Sequence, residues 1–271
     1  MNILLFANTD GNIDAINNIY NMVPEINIGL SLGNLPIVSE STPLNHFYKN
    51  GFLFEGQRAQ DYFRENNPFN KYTYAMFGEY DDPFIPDEES KIKNLHIINY
   101  YFTIDMMGYL SRPIIDINVP SSRRVKMGFL GGYYSSDLWN LNNEYRLHKT
   151  RDRKSLALCS EDFNIFNNQK LDYLFTFEAP NQYDNGFKFN GGTEKITELI
   201  KETKPILHFH AHLRNPSIGY IGDTLSIGIP QLNMGFYVLN LYAGKVAYCQ
   251  PGNIQTPIIV TERYHNTKKK L

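Results

Sequence analysis

The feature that most constrains this chain is a recurring unit in which a short run of β-branched and aromatic residues breaks into a loop rich in Asn, Asp, Glu or Gly. Asn2 to Phe6 is the first such run. It gives way to the turn-forming stretch Ala7 to Asn12, after which Ile13, Ile16, Ile19 and Tyr20 recur at helical spacing. Strand, loop and helix are the expected result. Ile26 to Leu32 is a second strand ending in Gly33-Asn34, with Pro36 beyond it as a stop. A helical pattern between about Leu44 and Arg64 leads to a third strand, Tyr74 to Phe77, which closes on Gly78-Glu79-Tyr80-Asp81.

The same alternation continues. Leu95 to Asp105 and Val125 to Leu130 read as strands, the second ended by Gly131-Gly132, and Ser155 to Asn167 reads as a helix. Leu171 to Phe175 is a strand that runs into Thr176-Phe177-Glu178-Ala179-Pro180. Thr193 caps a helix through Lys204, and Pro205 to Phe209 returns to strand just before a histidine cluster. Leu225 to Ile227, Gly235 to Tyr242, a turn at Ala243-Gly244 and Lys245 to Cys249 form a closing meander. Strands alternating with helices, followed by a meander, predict an α/β fold with a mixed central sheet. In such sheets the chemistry sits where loops converge at the carboxyl ends of strands.

Composition sets limits on function. At about 150 residues per domain, 271 residues allow one large domain or two modest ones, and we read 1–271 as one, with a frayed tail over about 262–271 that includes Lys268-Lys269-Lys270. Lys+Arg at 26 against Asp+Glu at 28 leaves a formal charge of −2, so there is no global basic field to hold nucleic acid. Any polyanion contact must be a local patch. The opening run Ile3 to Phe6 is too short for a signal peptide, and no segment approaches the ~18 apolar residues of a membrane span. An intracellular protein, cytoplasmic or nuclear, with no membrane partner is the expectation. Cys159 and Cys249 have no metal-site spacing and read as packing residues.

Five loops stand out together: Asn8-Thr9-Asp10-Gly11-Asn12, Gly33-Asn34, Gly78-Glu79-Tyr80-Asp81, Thr176-Phe177, and His208-Phe209-His210-Ala211-His212. In this order they resemble the motifs of the calcineurin-like metallophosphoesterases, whose usual pattern is Asp-x-His-Gly-Asn, Gly-Asp, Gly-Asn-His-Asp or Glu, a lone His after a strand, and Gly-His-x-His. The resemblance implies a sandwich of mixed β-sheets flanked by helices. Within that superfamily, Asp10 to Ile16 is similar to the His-Gly-Glu-Leu-Asp-Ala-Ile of the RNA lariat debranching enzyme. Gly33-Asn34, and Lys204-Pro205 followed by His208-Phe209 and Ala211, resemble its degenerate splicing-associated relatives.

By the same resemblance, the metal-ligand positions fall on Asn8, Asp10, Asn34, Glu79, His210 and His212, and the proton-transfer positions on Tyr80 and its orienter Asp81. Two-metal hydrolysis needs cations roughly 3.5–4 Å apart, bridged by an anionic oxygen that offsets their repulsion. Here the bridging position is Asn34, an amide without charge. Phe177 stands at the lone His and has no heteroatom to offer. Tyr80 replaces the proton-donating His, and a phenol of pKa ~10 shuttles protons poorly at neutral pH. The register of the histidines is open: His210 and His212 fit Gly-His-x-His, whereas the debranching-like alignment pairs His212 with Arg214. Taken alone, His-x-His-x-His is read equally well as core or surface histidines, and the other four loops tip the reading to site residues.

Gly11 and Asn12 serve equally as a strand-to-helix turn and cap. Arg123, Arg124, Tyr133, Tyr134 and Arg151 to Lys154, together with Arg214, are candidates for a groove in which bases stack on rings and cations hold phosphates. The expectation is a metallophosphoesterase-type protein with an eroded di-metal site that holds no cation or one weak Mn²⁺ or Zn²⁺. Its rivals are an active phosphoesterase with altered ligands, in which Asp10, Glu79, His210 and His212 hold one cation, and a pseudoenzyme that binds RNA, a phosphate ester or a protein partner.

Overall fold

The computed structural model describes residues 1–9, 12–35, 69–79, 81, 94–98, 114–118, 124–142, 156–241 and 243–261. Strands β1 (Asn2–Phe6), β2 (Ile26–Ser31), β3 (Thr73–Ala75) and β4 (Leu95–Ile97) run parallel, side by side. On the other edge of β1 the sheet continues antiparallel through β11 (Phe236–Asn240), β12 (Lys245–Gln250) and β13 (Asn253–Ile259). A second sheet has the parallel strands β6 (Arg124–Leu130), β7 (Tyr173–Thr176), β8 (Leu207–His210) and β10 (Thr224–Gly228) at its centre. Two antiparallel edges, β5 (Ile114–Asn118) and β9 (Ser217–Ile221), complete it. These are the mixed sheets that the α/β reading anticipates.

Alternation along the strands assigns the layers. On β1, Ile3 and Leu5 enter the core between the sheets, where Leu30, Phe129, Phe175, Phe209 and Tyr237 also lie, while Leu4 and Phe6 face the opposite way. There they meet Ile13, Ile16, Ile19 and Tyr20, the buried stripe of helix α1 (Ile13–Met22). Asn12 starts that helix by accepting a 3.0 Å bond from the Ala15 N–H. Phe129, Phe175 and Phe209 stack across adjacent strands at centroid spacings of 5.1 and 5.3 Å. Burial of each such side chain contributes about 1.5–3 kcal/mol. Helix α3 (Glu194–Thr203), capped by the Thr193 hydroxyl, lays Ile196, Leu199 and Ile200 on the outer face of the second sheet against Leu130 and Leu174.

Some expected elements differ. The helix expected over Ser155 to Asn167 contracts to α2 (Ser160–Phe163) and one 3-10 turn, Asn164–Phe166. Ala157 instead forms a parallel bridge with Tyr133, whose backbone N–H donates to the Leu156 carbonyl (3.1 Å) and whose carbonyl accepts the Leu158 N–H (2.7 Å). Strands β9 and β13 were not legible: β9 carries Gly219 pressed against the Tyr183 ring, and β13 contains Pro257, tolerated because that strand is an edge. Cys159 and Cys249 are buried thiols that are not joined in a disulfide, in keeping with packing roles. The helix expected over 44–64, the strand beyond residue 98 and the terminal lysines lie outside the described residues. Among the described residues no helix is long and apolar enough to cross a membrane.

Candidate functional site

Because β1, β2 and β3 are parallel neighbours, as are β6, β7 and β8, the loops that leave them emerge at the carboxyl ends of the two sheets. Three of those loops turn through a left-handed residue: Asn8 (φ 49°), Asn34 (φ 54°) and His212 (φ 56°). Asn is among the L-residues that tolerate this conformation best. The first-sheet loops are bonded to one another. Asn8 N–H donates to the Gly33 carbonyl and Thr9 N–H to that of Asn34, both at 3.2 Å. The Asn34 amide Nδ2 donates to Asn8 Oδ1 at 2.9 Å. Asp81, buried, accepts with one oxygen from both the Gly78 N–H (2.7 Å) and the Asn34 N–H (2.8 Å), so its carboxylate ties the β3 loop to the β2 loop.

From the second sheet, Phe177 closes the cluster. It is 1% exposed, continues the inward alternation of Tyr173 and Phe175, and belongs to the core between the sheets. A Cβ placed on Gly33 would lie 2.6 Å from Phe177 Cδ2, and one on Gly78 2.6 Å from Cε2. Both loops therefore rest against the face or edge of this ring, and only glycine permits it. The His212 ring stacks on Phe177 with centroids 5.3 Å apart and planes at 21°.

His212 Nδ1 is 3.0 Å from Oε2 of Glu178, whose other oxygen accepts the Tyr134 N–H at 2.7 Å. Burial pulls the imidazole pKa down, but the hydrogen bond and negative charge of Glu178 outweigh it and hold His212 above the usual histidine value. Glu178 is 1% exposed and so depends on these partners.

Asn8, Asn34, Asp81, Phe177 and His212 thus form one connected cluster, with Glu79 half-buried in the turn between Gly78 and Asp81. Asp10, Gly11, Tyr80, Arg123, the Arg124 side chain and Arg151 to Lys154 lie outside the described residues. His210 departs from the expected pairing with His212. Strand alternation sends His208 and His210 to the face of β8 opposite Phe209, where His208 bonds Thr176 and Ser226 (2.9 Å each) and His210 bonds the Tyr183 hydroxyl at 3.3 Å. Both are fully buried. Burial pushes His208 well below the usual value and His210 down to about 4, with the neighbouring histidine adding to each effect.

The expected groove is represented by Tyr133, which packs against the core, Tyr134, whose ring meets Trp139 at 5.5 Å, and exposed Arg214, whose carbonyl accepts the Gln231 N–H. Glu178 was not singled out from sequence as a member of the site. Its signal there was a lone carboxylate inside an otherwise apolar strand end.

Among the described residues the side chains at the expected ligand positions are largely engaged with one another. The Asn34 amide donates to Asn8, Phe177 offers no donor atom and His210 is turned to Tyr183, whereas His212, with Glu178 on Nδ1, keeps Nε2 as a possible ligand. Among the described residues no three His, Cys, Asp or Glu side chains gather as a metal site.

No protein-family model and no curated protein matches the sequence. Solved structures do match by shape. The chain is similar to the Thermus thermophilus protein TT1561 at 13% identity and a TM-score of 0.56, over 92% of this chain and 98% of that one. It is similar to GAP50, the anchor in the inner membrane complex of Plasmodium, at 10% identity and a TM-score of 0.54, over 96% and 88%. A dimetal phosphatase from Danio rerio matches at 8% identity and a TM-score of 0.52, over 92% and 95%. The likeness is one of fold: two mixed sheets flanked by helices, of the metallophosphoesterase type.

Proposed function

We propose that this chain is a metallophosphoesterase-fold protein whose two-cation site has been dismantled, leaving a binding protein with little or no hydrolytic activity. The observation that carries the reading is the Phe177 ring, which lies against Gly33 and Gly78 and under His212, amid the loops from which such an enzyme would present its ligands. Two-cation hydrolysis depends on a bridging anion and on imidazoles free to coordinate. Here the bridging position is an amide that donates to Asn8, and the position of the lone histidine is the buried Phe177 ring, which has no donor atom. One neighbour of this fold is named for an anchoring role, which is the kind of use this reading gives the chain. The nearer likeness to the debranching enzyme rests on the sequence motifs alone.

The test is metal analysis of the full chain purified without chelator, together with turnover of a phosphodiester and a phosphomonoester in added Mn²⁺, Mg²⁺ or Zn²⁺. Substoichiometric metal and no metal-dependent turnover are expected. Two cations per chain, with a rate abolished by Asp10→Ala, would overturn the reading in favour of a working enzyme.

A further inference from the structure

The loop between β7 and α3 carries two Asn-Gly pairs, Asn185-Gly186 and Asn190-Gly191, both exposed and both with the glycine at positive φ, 82° and 99°. A third, Asn50-Gly51, lies outside the described residues. In an Asn-Gly pair no Cβ shields the peptide nitrogen that follows the asparagine, so the side-chain amide is open to attack by its own backbone. As sequence the two pairs in this loop are chemically alike. The fold separates them.

At the first pair both reacting groups are engaged. The Gly186 N–H donates to the Tyr183 carbonyl and Asn185 Oδ1 accepts the Phe187 N–H, both at 3.0 Å. The Tyr183 N–H closes this turn further by donating to the Phe187 carbonyl at 2.9 Å. At the second pair, neither the Asn190 side chain nor the Gly191 N–H has a hydrogen-bond partner among the described residues. This turn is pinned at its ends, where the Phe189 N–H donates to the Asn181 carbonyl and the Thr193 N–H to that of Ala179, both at 2.9 Å. A Cβ on Gly191 would meet nothing closer than His212 Nε2, 3.9 Å away. There is room beside the Gly191 peptide for a ring to close.

We propose that Asn190-Gly191 is a site of spontaneous deamidation, the one of these two pairs that the native fold leaves reactive. The Gly191 nitrogen gives up its proton to water and bonds to the side-chain carbonyl carbon of Asn190. The bond from that carbon to the amide nitrogen breaks, and ammonia leaves. Water then opens the five-membered imide at either carbonyl, to aspartate or isoaspartate. No oxidant or reductant takes part. Each product adds a negative charge to the turn beside His212, and the isoaspartyl form also inserts a backbone carbon just before the Thr193 cap of α3. The inference stands on this turn alone and holds whether or not the two-cation site is lost.

Peptide mapping by mass spectrometry of the full chain, aged in mildly alkaline buffer, tests it. Two hydrogen bonds of ordinary net strength must be given up at Asn185, so Asn190 should convert about tenfold faster in the folded chain. In urea, where both turns are lost, the two asparagines should convert at similar rates. Asn190→Gln, at an exposed position, should abolish the reaction at this turn and leave the Asn185 rate unchanged. Equal rates in the folded chain, or a faster Asn185, would mean that the hydrogen bonds of the first turn give no protection, and would overturn the proposal. So would a preference for Asn190 that survives unfolding, since it would then belong to the local sequence. An Asn190 that stays intact in the folded chain while the unfolded chain converts overturns it as well, because the fold would then protect both pairs.

Discussion

Phe177 and His212 lie ring on ring, 5.3 Å between centroids, although they leave two different strands of the second sheet. Phe177 keeps the inward alternation of β7. His212 reaches it only because its left-handed backbone, φ 56°, breaks the alternation that sends His208 and His210 to the opposite face. The pair joins the two sheets at the point where their loops converge, with Glu178 fixing the imidazole from behind.

If Phe177 is the wedge that holds these loops apart, Phe177→Ala should lower stability by about 3–5 kcal/mol, the usual cost of deleting a buried aromatic side chain. Urea unfolding monitored by circular dichroism measures it. A loss below about 1 kcal/mol would mean that the loops close without the ring.

Gly33 combines φ +114° with a Cβ position against both the Phe177 ring and the Gly78 backbone. Gly33→Ala is therefore expected to destabilise even though alanine is small, through backbone strain of order 1–3 kcal/mol and through the clash. Adding Phe177→Leu should relieve only the steric share. A double-mutant cycle with strictly additive losses would contradict the contact.

His208 and His210 are neutral in the fold and titrate near 6.5 once unfolded. Below pH 6.5 the unfolded chain takes up protons that the native chain does not, so stability should fall as pH drops from about 6.5 toward the His210 value of about 4. The slope should approach about 1.4 kcal/mol per pH unit for each histidine. Denaturant midpoints between pH 4 and 8 check this, and a flat profile would show that the two imidazoles charge without unfolding.

His212 has the opposite sign. Its pKa is raised in the fold, so the Glu178 contact stabilises fully below pH 6.5 and is lost as pH rises through the raised value. Glu178→Gln keeps an acceptor for the Tyr134 N–H but removes the charge. Histidine NMR titration should find the His212 pKa lower in this variant. The stability difference from the parent should be larger at pH 6 than at pH 9.

If the two-cation site is dismantled as proposed, restoring its ligands should recover metal binding. A variant carrying Asn34→Asp, Phe177→His, Tyr80→His and Glu79→Asn should bind Mn²⁺ more tightly than the parent by calorimetry. The single changes should do little, because a carboxylate or imidazole without its cation is an unpaired polar group that costs about 1–3 kcal/mol where buried. A folded variant with no gain would mean that the cleft has been reshaped for another use.

The periodicities of the chain determined a good deal on their own. Alternating runs gave β1, β2, β6 and β8 their places, helical spacing and the Asn12 and Thr193 caps gave α1 and α3, and the polar residues after each strand pointed to the end of the sheets where a site would form. All of this is local, set by side-chain direction within a strand or helix. The sequence could not say that His210 faces Tyr183 while His212 faces Phe177. That division depends on one backbone angle after β8, and the angle is fixed by what packs around it. Nor could it show that the Asn34 amide donates to Asn8 or that Glu178 turns to His212. Each is a contact between segments 26 or more residues apart, and only the parallel pairing of β1 with β2 and of β7 with β8 brings those partners within reach.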